Sequence, residues 1–89
     1  MTLKALIADD EPLARERLRF LLASDADIEI SGECRNGREV VAAIKEKRVD
    51  VLFLDIQMPG KSGFEVVEQV GHAHMPVTVF VTAHNQYAV

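Results

Sequence analysis

Cysteine, tryptophan and runs of positive charge are what this sequence has least of. Its 89 residues hold one Cys, no Trp, one Tyr and three Pro. A lone Cys34 cannot close an intramolecular disulfide, and it cannot build a cysteine-based zinc site without several histidines at suitable spacing. His72 and His74 stand two residues apart around a turn and His84 lies ten residues further on, so all three read as polar loop residues. Cys34 itself reads as a small core or edge-strand residue without a redox role. No charge-free apolar stretch approaches the ~18 residues of a membrane span, and Lys4 interrupts the short N-terminal apolar run that would otherwise suggest a signal peptide. A cytoplasmic protein without membrane contact is expected. Ten Lys and Arg face fourteen Asp and Glu, a formal net charge of −4, and no Lys/Arg run exceeds two. Such a chain does not grip nucleic acid or an anionic surface unaided.

What is present is a regular alternation. Three short runs rich in Val, Ile, Leu or Phe, Leu3 to Ala8, Val51 to Leu54 and Val77 to Val81, are too short for helices and read as strands buried on both faces. A fourth, Ile28 to Cys34, alternates more and fits a strand nearer the sheet edge. Between them lie helical patterns. After Pro12, a residue suited to a first helical turn, Ala14, Leu18, Leu21 and Leu22 form one apolar stripe, with Arg15, Glu16 and Arg19 facing elsewhere. Asn36 with Glu39, and Ser62 with Glu65, have capping-box spacing ahead of Val40, Val41 and Ile44 and of Val66, Val67 and Val70. Gly71 and Pro76 supply a stop. Strand and helix in strict alternation predict right-handed βαβ crossovers and an open parallel α/β sheet covered on both faces. Gln86 to Val89 reads as the start of a fourth helix.

The buried runs end in polar residues: Asp9 and Asp10, then Asp55, then Thr82. In an open parallel sheet ligands bind at that edge. If the strands are neighbours, three carboxylates converge, and either some protonate or a cation sits among them. An all-oxygen cluster suits Mg²⁺. A helix N-cap would account for Asp9 or Asp10 alone, but not for Asp55 as well. A carboxylate beside bound Mg²⁺ can attack phosphorus and form an acyl phosphate. Asp55, alone at its strand end, is the better nucleophile; the adjacent Asp9 and Asp10 are better placed to hold a metal. Thr82 is either a hydroxyl donor to a phosphoryl oxygen or an ordinary β-branched strand residue.

The segments Ala8-Asp9-Asp10-Glu11-Pro12-Leu13-Ala14-Arg15, Leu52-Phe53-Leu54-Asp55-Ile56-Gln57-Met58-Pro59-Gly60 with Gly63, and Val81-Thr82-Ala83 together resemble the receiver domain of bacterial two-component response regulators. The opening D-D-E-P-L-A-R and the ending T-A-H-N-Q-Y-A-V resemble more narrowly the LytTR-type regulators. The resemblance implies a flavodoxin-like, CheY-like fold. It implies that Asp55 accepts a phosphoryl group from a sensor histidine kinase. Asp10, Asp55 and the backbone carbonyl of Gln57 would bind Mg²⁺ directly, with Asp9 acting through water. Thr82, followed by Ala83, would be the switch hydroxyl. Pro59, Gly60 and Gly63 would shape the loop beside the nucleophile, and Met58 would either flank the phosphorylation site or simply pack.

The match also has gaps. Members of that family carry a fifth strand ending in a catalytic Lys, and usually an aromatic switch residue on that strand. The lysines here are Lys4, Lys45, Lys47 and Lys61, none of which follows a fifth apolar run. Lys61, in the loop after Asp55, reads as an exposed loop residue. Residues 1–89 are therefore expected to be an incomplete receiver domain from a longer regulator, lacking the last strand and helices, with DNA contact left to a separate basic output domain. Val77 to Val81 would then be an apolar edge strand, and the chain is expected to form a homodimer or a domain-swapped oligomer. The domain is expected to catalyse no more than its own phosphorylation and dephosphorylation. Two alternatives stand beside this. One is a phosphorylation-independent interaction fragment. The other is a Mg²⁺-dependent aspartyl-phosphate phosphohydrolase of the haloacid dehalogenase type, against which Gln57 stands where those enzymes favour a second Asp.

Overall fold

Each of the four apolar runs forms a strand, and each intervening periodic segment forms a helix. The computed structural model describes residues 2–58 and 62–81. Within them the order is β1 (Leu3–Ala8), α1 (Pro12–Ala23), β2 (Ile28–Cys34), α2 (Gly37–Glu46), β3 (Val51–Asp55), α3 (Gly63–Val70), a 3₁₀ turn at His72–His74, and β4 (Val77–Val81). The strands pair in parallel in the order β2-β1-β3-β4. Among the described residues no helix is long and apolar enough to cross a membrane.

The helix starts follow the local chemistry. Ser62 accepts from the Glu65 amide at 3.3 Å while Glu65 accepts from the Ser62 amide at 3.4 Å, a reciprocal capping box. Asn36 likewise accepts from the Glu39 amide at 2.9 Å, but Glu39 reaches one residue further back and accepts from the Arg35 amide at 2.7 Å. Helix α1 has no side-chain cap at Glu11 and starts with Pro12, whose missing N–H is no loss there. Gly71 ends α3 at φ +93°, a conformation that costs glycine nothing, and its N–H donates to the Val67 carbonyl.

Side-chain alternation divides the core between the two faces of the sheet. Leu6, Ala8, Leu52 and Leu54 point to the face covered by α2 and α3, where they pack with Cys34, Val40, Val41, Met58 and Val66. Ala5 and Ile7 have the opposite parity and are fully buried beneath α1, which packs on β1 and β2. Ser31 is a bulge in the β1–β2 pairing, and its hydroxyl donates to the Ala5 carbonyl at 3.1 Å.

Two expectations about burial are corrected. Strand β4 is not buried on both faces: Val77 is 70% exposed, and Val79 and Phe80 are also exposed. Among the described residues β4 is the sheet edge, and α1 does not extend over it. The α1 stripe is shallower than its periodicity implies. Ala14, Leu18 and Leu22 are half-buried, Leu21 is exposed, and no residue of the helix is fully buried. Among the described residues α1 is the one helix on this face and packs chiefly on β1 and β2, which leaves the flanks of its apolar stripe exposed.

Candidate functional site

From β1 the chain passes to β2 on one side, and from β2 it returns to β3 on the other side of β1, so the direction of winding reverses between β1 and β3. Crossovers leave this gap open at the carboxyl ends of the strands, which makes it the natural binding crevice of such a sheet. Asp9 and Asp10 follow β1 directly, and Asp55 is the last residue of β3. Carboxylate oxygens of all three lie within 4.8 Å of one another.

The three acids are held differently. Asp9 is 2% exposed, its amide donates to the Cys34 carbonyl at 3.0 Å, and its Oδ1 accepts from the Glu11 amide at 2.9 Å. Asp55 is 5% exposed, and its Oδ1 accepts from the Gln57 amide at 3.1 Å. Asp10 is exposed. Arg15 donates from Nη1 to the Asp9 carbonyl at 2.8 Å and from Nε to Glu33 at 3.3 Å. Behind Asp55 the start of α3 comes very close: the Gly63 amide donates to the Ile56 carbonyl at 2.9 Å, and a β-carbon at position 63 would lie 3.0 Å from the Asp55 carbonyl oxygen.

Burial and crowding raise the cost of charging Asp55. Burial, together with the negative charges of Asp9 and Asp10 and the contact with the Asp9 carboxyl, pushes the Asp55 carboxyl up from 3.8 to about 6, against the opposing pull of the Gln57 amide. The folded protein thus holds a proton on Asp55 in a pH range where the unfolded chain has released it. Stability is full below the unfolded value and falls as pH rises through about 6, and a difference of this size is worth on the order of 1–3 kcal/mol. In EDTA, Asp55→Asn is expected to be more stable than wild type at pH 7.5 by about that amount and to lose the advantage near pH 4. Urea unfolding at the two pH values checks this, and an equal gain at both would contradict it.

The residues singled out from sequence mostly come together. Asp9, Asp10 and Asp55 form one cluster, and Gln57 follows directly with its amide on Asp55. Gly63 sits against the backbone that carries Asp55. Met58 belongs to the hydrophobic core, which decides for packing. The expectations for Pro59, Gly60, Lys61, Thr82 and Ala83 lie outside the described residues. Arg15, read from sequence as facing away from the core, instead reaches back to the β1 end. A cation in the first turns of a helix, where the backbone dipole disfavours it, was the available signal.

The sequence profile of the response regulator receiver domain matches residues 5–89. The transcriptional regulatory protein BtsR of Salmonella typhi is 55% identical over 87 residues, covering 98% of this chain and 36% of that protein. The chain thus spans little more than a third of the length of the curated relatives it matches. Among solved structures, the signal receiver domain of NarL from Mycobacterium tuberculosis superposes with TM-score 0.84 at 30% identity, covering 98% of this chain and 71% of that one. TrrA from Thermotoga maritima, solved in complex with Mg²⁺-BeF, superposes with TM-score 0.83 at 32% identity, covering 97% of this chain and 74% of that one.

Proposed function

This chain belongs to the response regulator receiver domain family and forms a receiver domain of a two-component response regulator, and from that premise we propose that Asp55 is its phosphoacceptor. The observation that supports this is the placing of Asp55 at the winding switch, almost buried yet facing two further carboxylates. In the proposed reaction a carboxylate oxygen of Asp55 attacks the phosphorus of a phosphohistidine on a sensor kinase. A P–O bond forms, the P–N bond breaks, and the imidazole leaves. The attacking form is the ionised carboxylate, which burial and the neighbouring charges disfavour and which a cation in the crevice would favour.

Mg²⁺ fits this donor set. All the donors are oxygens, and among the described residues Asp9 and Asp55 each place one carboxylate oxygen on a local amide. The carboxylate oxygens of Asp9, Asp10 and Asp55 lie within 4.8 Å of one another, close enough for one small hard cation to be shared among them. Asp10, Asp55 and the Gln57 carbonyl would hold the ion and Asp9 would act through water. When bound, the ion supplies charge neutralisation on the phosphoryl oxygens during transfer. The protein's own part is to hold the Asp55 oxygen in line and keep Asp9 and Asp10 oriented.

The wider reading is a cytoplasmic, LytTR-type regulator in which residues 1–89 belong to the receiver and a separate domain binds DNA. The LytTR reading rests on the opening from Asp9 to Arg15 and the ending from Thr82 to Val89 alone, and the similarity to BtsR, a transcriptional regulatory protein, supports only the coarser reading of a regulator of transcription. The domain would act only on itself, as a substrate of the kinase and a slow catalyst of its own dephosphorylation, and would associate as a homodimer. The test is the intact mass of the full-length protein after incubation with acetyl phosphate. A gain of one phosphoryl group with Mg²⁺ and none with EDTA is expected; no gain in a folded, Mg²⁺-loaded protein would overturn the proposal.

A further inference from the structure

Arg15 stands where a cation is not expected. It is the fourth residue of α1, near the positive end of the helix dipole, yet its side chain is only 14% exposed. Two acceptors hold it there. Glu33 on β2 accepts from Nε at 3.3 Å, and the Asp9 carbonyl accepts from Nη1 at 2.8 Å. Glu33 is fixed in turn by Arg19 from the next turn of α1, whose Nε donates to it at 2.6 Å.

The Asp9 carbonyl belongs to the peptide that joins Asp9 to Asp10, so the guanidinium pins the plane of that peptide. The preceding peptide is already pinned by the Asp9 amide on Cys34, and the Asp9 side chain by the Glu11 amide. Asp10 is different: it is exposed, and among the described residues its carboxylate makes no hydrogen bond of its own. Its direction is inherited from the backbone that Arg15 holds.

We propose that Arg15 is a positioning residue for the cation site, setting the direction of Asp10 through the Asp9–Asp10 peptide; this rests on the Mg²⁺ reading above. Charge alone argues for the opposite effect. Removing a positive side chain beside a cation site should tighten Mg²⁺ binding, whereas removing a positioning bond should weaken it. The sign of the change therefore separates the two roles.

The test is the Mg²⁺ dissociation constant of the full-length protein, followed by NMR titration of backbone amides, with thermal melting in EDTA as a check on folding. Arg15→Ala is expected to bind Mg²⁺ about tenfold more weakly than wild type, the scale typical of groups that orient metal ligands. Arg15→Lys keeps the charge and can still pair with Glu33, but it lacks the planar fork that serves both acceptors. It too is expected to bind more weakly, with its melting temperature retained. Arg19→Ala, which touches Glu33 but not Asp9, should bind like wild type. Binding by Arg15→Lys as tight as wild type, or an equal loss in Arg19→Ala, would overturn the proposal. A folded wild-type protein that binds no Mg²⁺ would overturn the phosphoacceptor reading itself, and this inference with it.

Discussion

The Asp55→Asn protein is expected to gain no phosphoryl group from acetyl phosphate and Mg²⁺ under conditions in which wild type is modified. An amide has no anionic oxygen to attack phosphorus, and it offers the cation a weaker donor. The neighbouring acids do not replace it. Asp9 has one oxygen on the Glu11 amide, and Asp10 is exposed, outside the nearly buried position that Asp55 occupies at the end of β3. The variant should still fold, because the residue removed is the one whose charge the crowded crevice resists. Loss of phosphorylation with retained or raised stability is thus the combined signature. Loss of both would mean that Asp55 is needed for the fold and would say nothing for its role as nucleophile. Mass spectrometry and urea unfolding on one preparation check the pair.

Gly63→Val is expected to destabilise the protein by more than about 3 kcal/mol, the upper part of the range for overpacking a tight site. A β-carbon at this position would meet the Asp55 carbonyl oxygen at 3.0 Å, the Ile56 Cα at 3.2 Å and Leu54 Cγ at 3.3 Å. Two of those three atoms are backbone and cannot swing aside. The start of α3 would have to retreat from the end of β3, breaking the hydrogen bond from the Gly63 amide to the Ile56 carbonyl and pulling on the segment that carries Asp55. Gly63→Ala should cost about 1–3 kcal/mol by the same contacts. Because the strain falls on the Asp55 backbone, phosphoryl uptake by the folded fraction of Gly63→Ala should fall as well. Denaturant unfolding of both variants checks the order, and a Gly63→Ala protein as stable as wild type would show that the close approach is not maintained in solution.

Much of this was legible because the relevant signals are local. Short apolar runs too brief for helices became β1 to β4, and the Ser62-x-x-Glu65 spacing became a capping box that starts α3. The site was legible for a similar reason: in parallel strands the last residue of each run lies at the same edge, so acids at positions 9, 10 and 55 converge once β1 and β3 are neighbours. What was not legible depends on which faces find partners. The valines of β4 have the composition of a doubly covered strand, and that reading of their burial fails, whereas the edge position also expected from the sequence is the one found among the described residues. Glu39 has the spacing to close a box on Asn36 but finds the Arg35 amide instead, a difference of one residue that spacing does not resolve. The sequence placed Arg15 only off the apolar stripe of α1, because its partners, the Asp9 carbonyl and Glu33, come from elements that only the fold brings together.

The most direct measurement is the position of the phosphoryl group. Full-length protein treated with acetyl phosphate, with Mg²⁺ or with EDTA, is reduced with borohydride, which converts an aspartyl phosphate to homoserine, and is then digested and sequenced by mass spectrometry. Homoserine is expected at position 55 in the Mg²⁺ sample and nowhere in the EDTA sample. Homoserine at position 9 or 10, or an unreduced peptide in a folded protein shown to bind Mg²⁺, would contradict it.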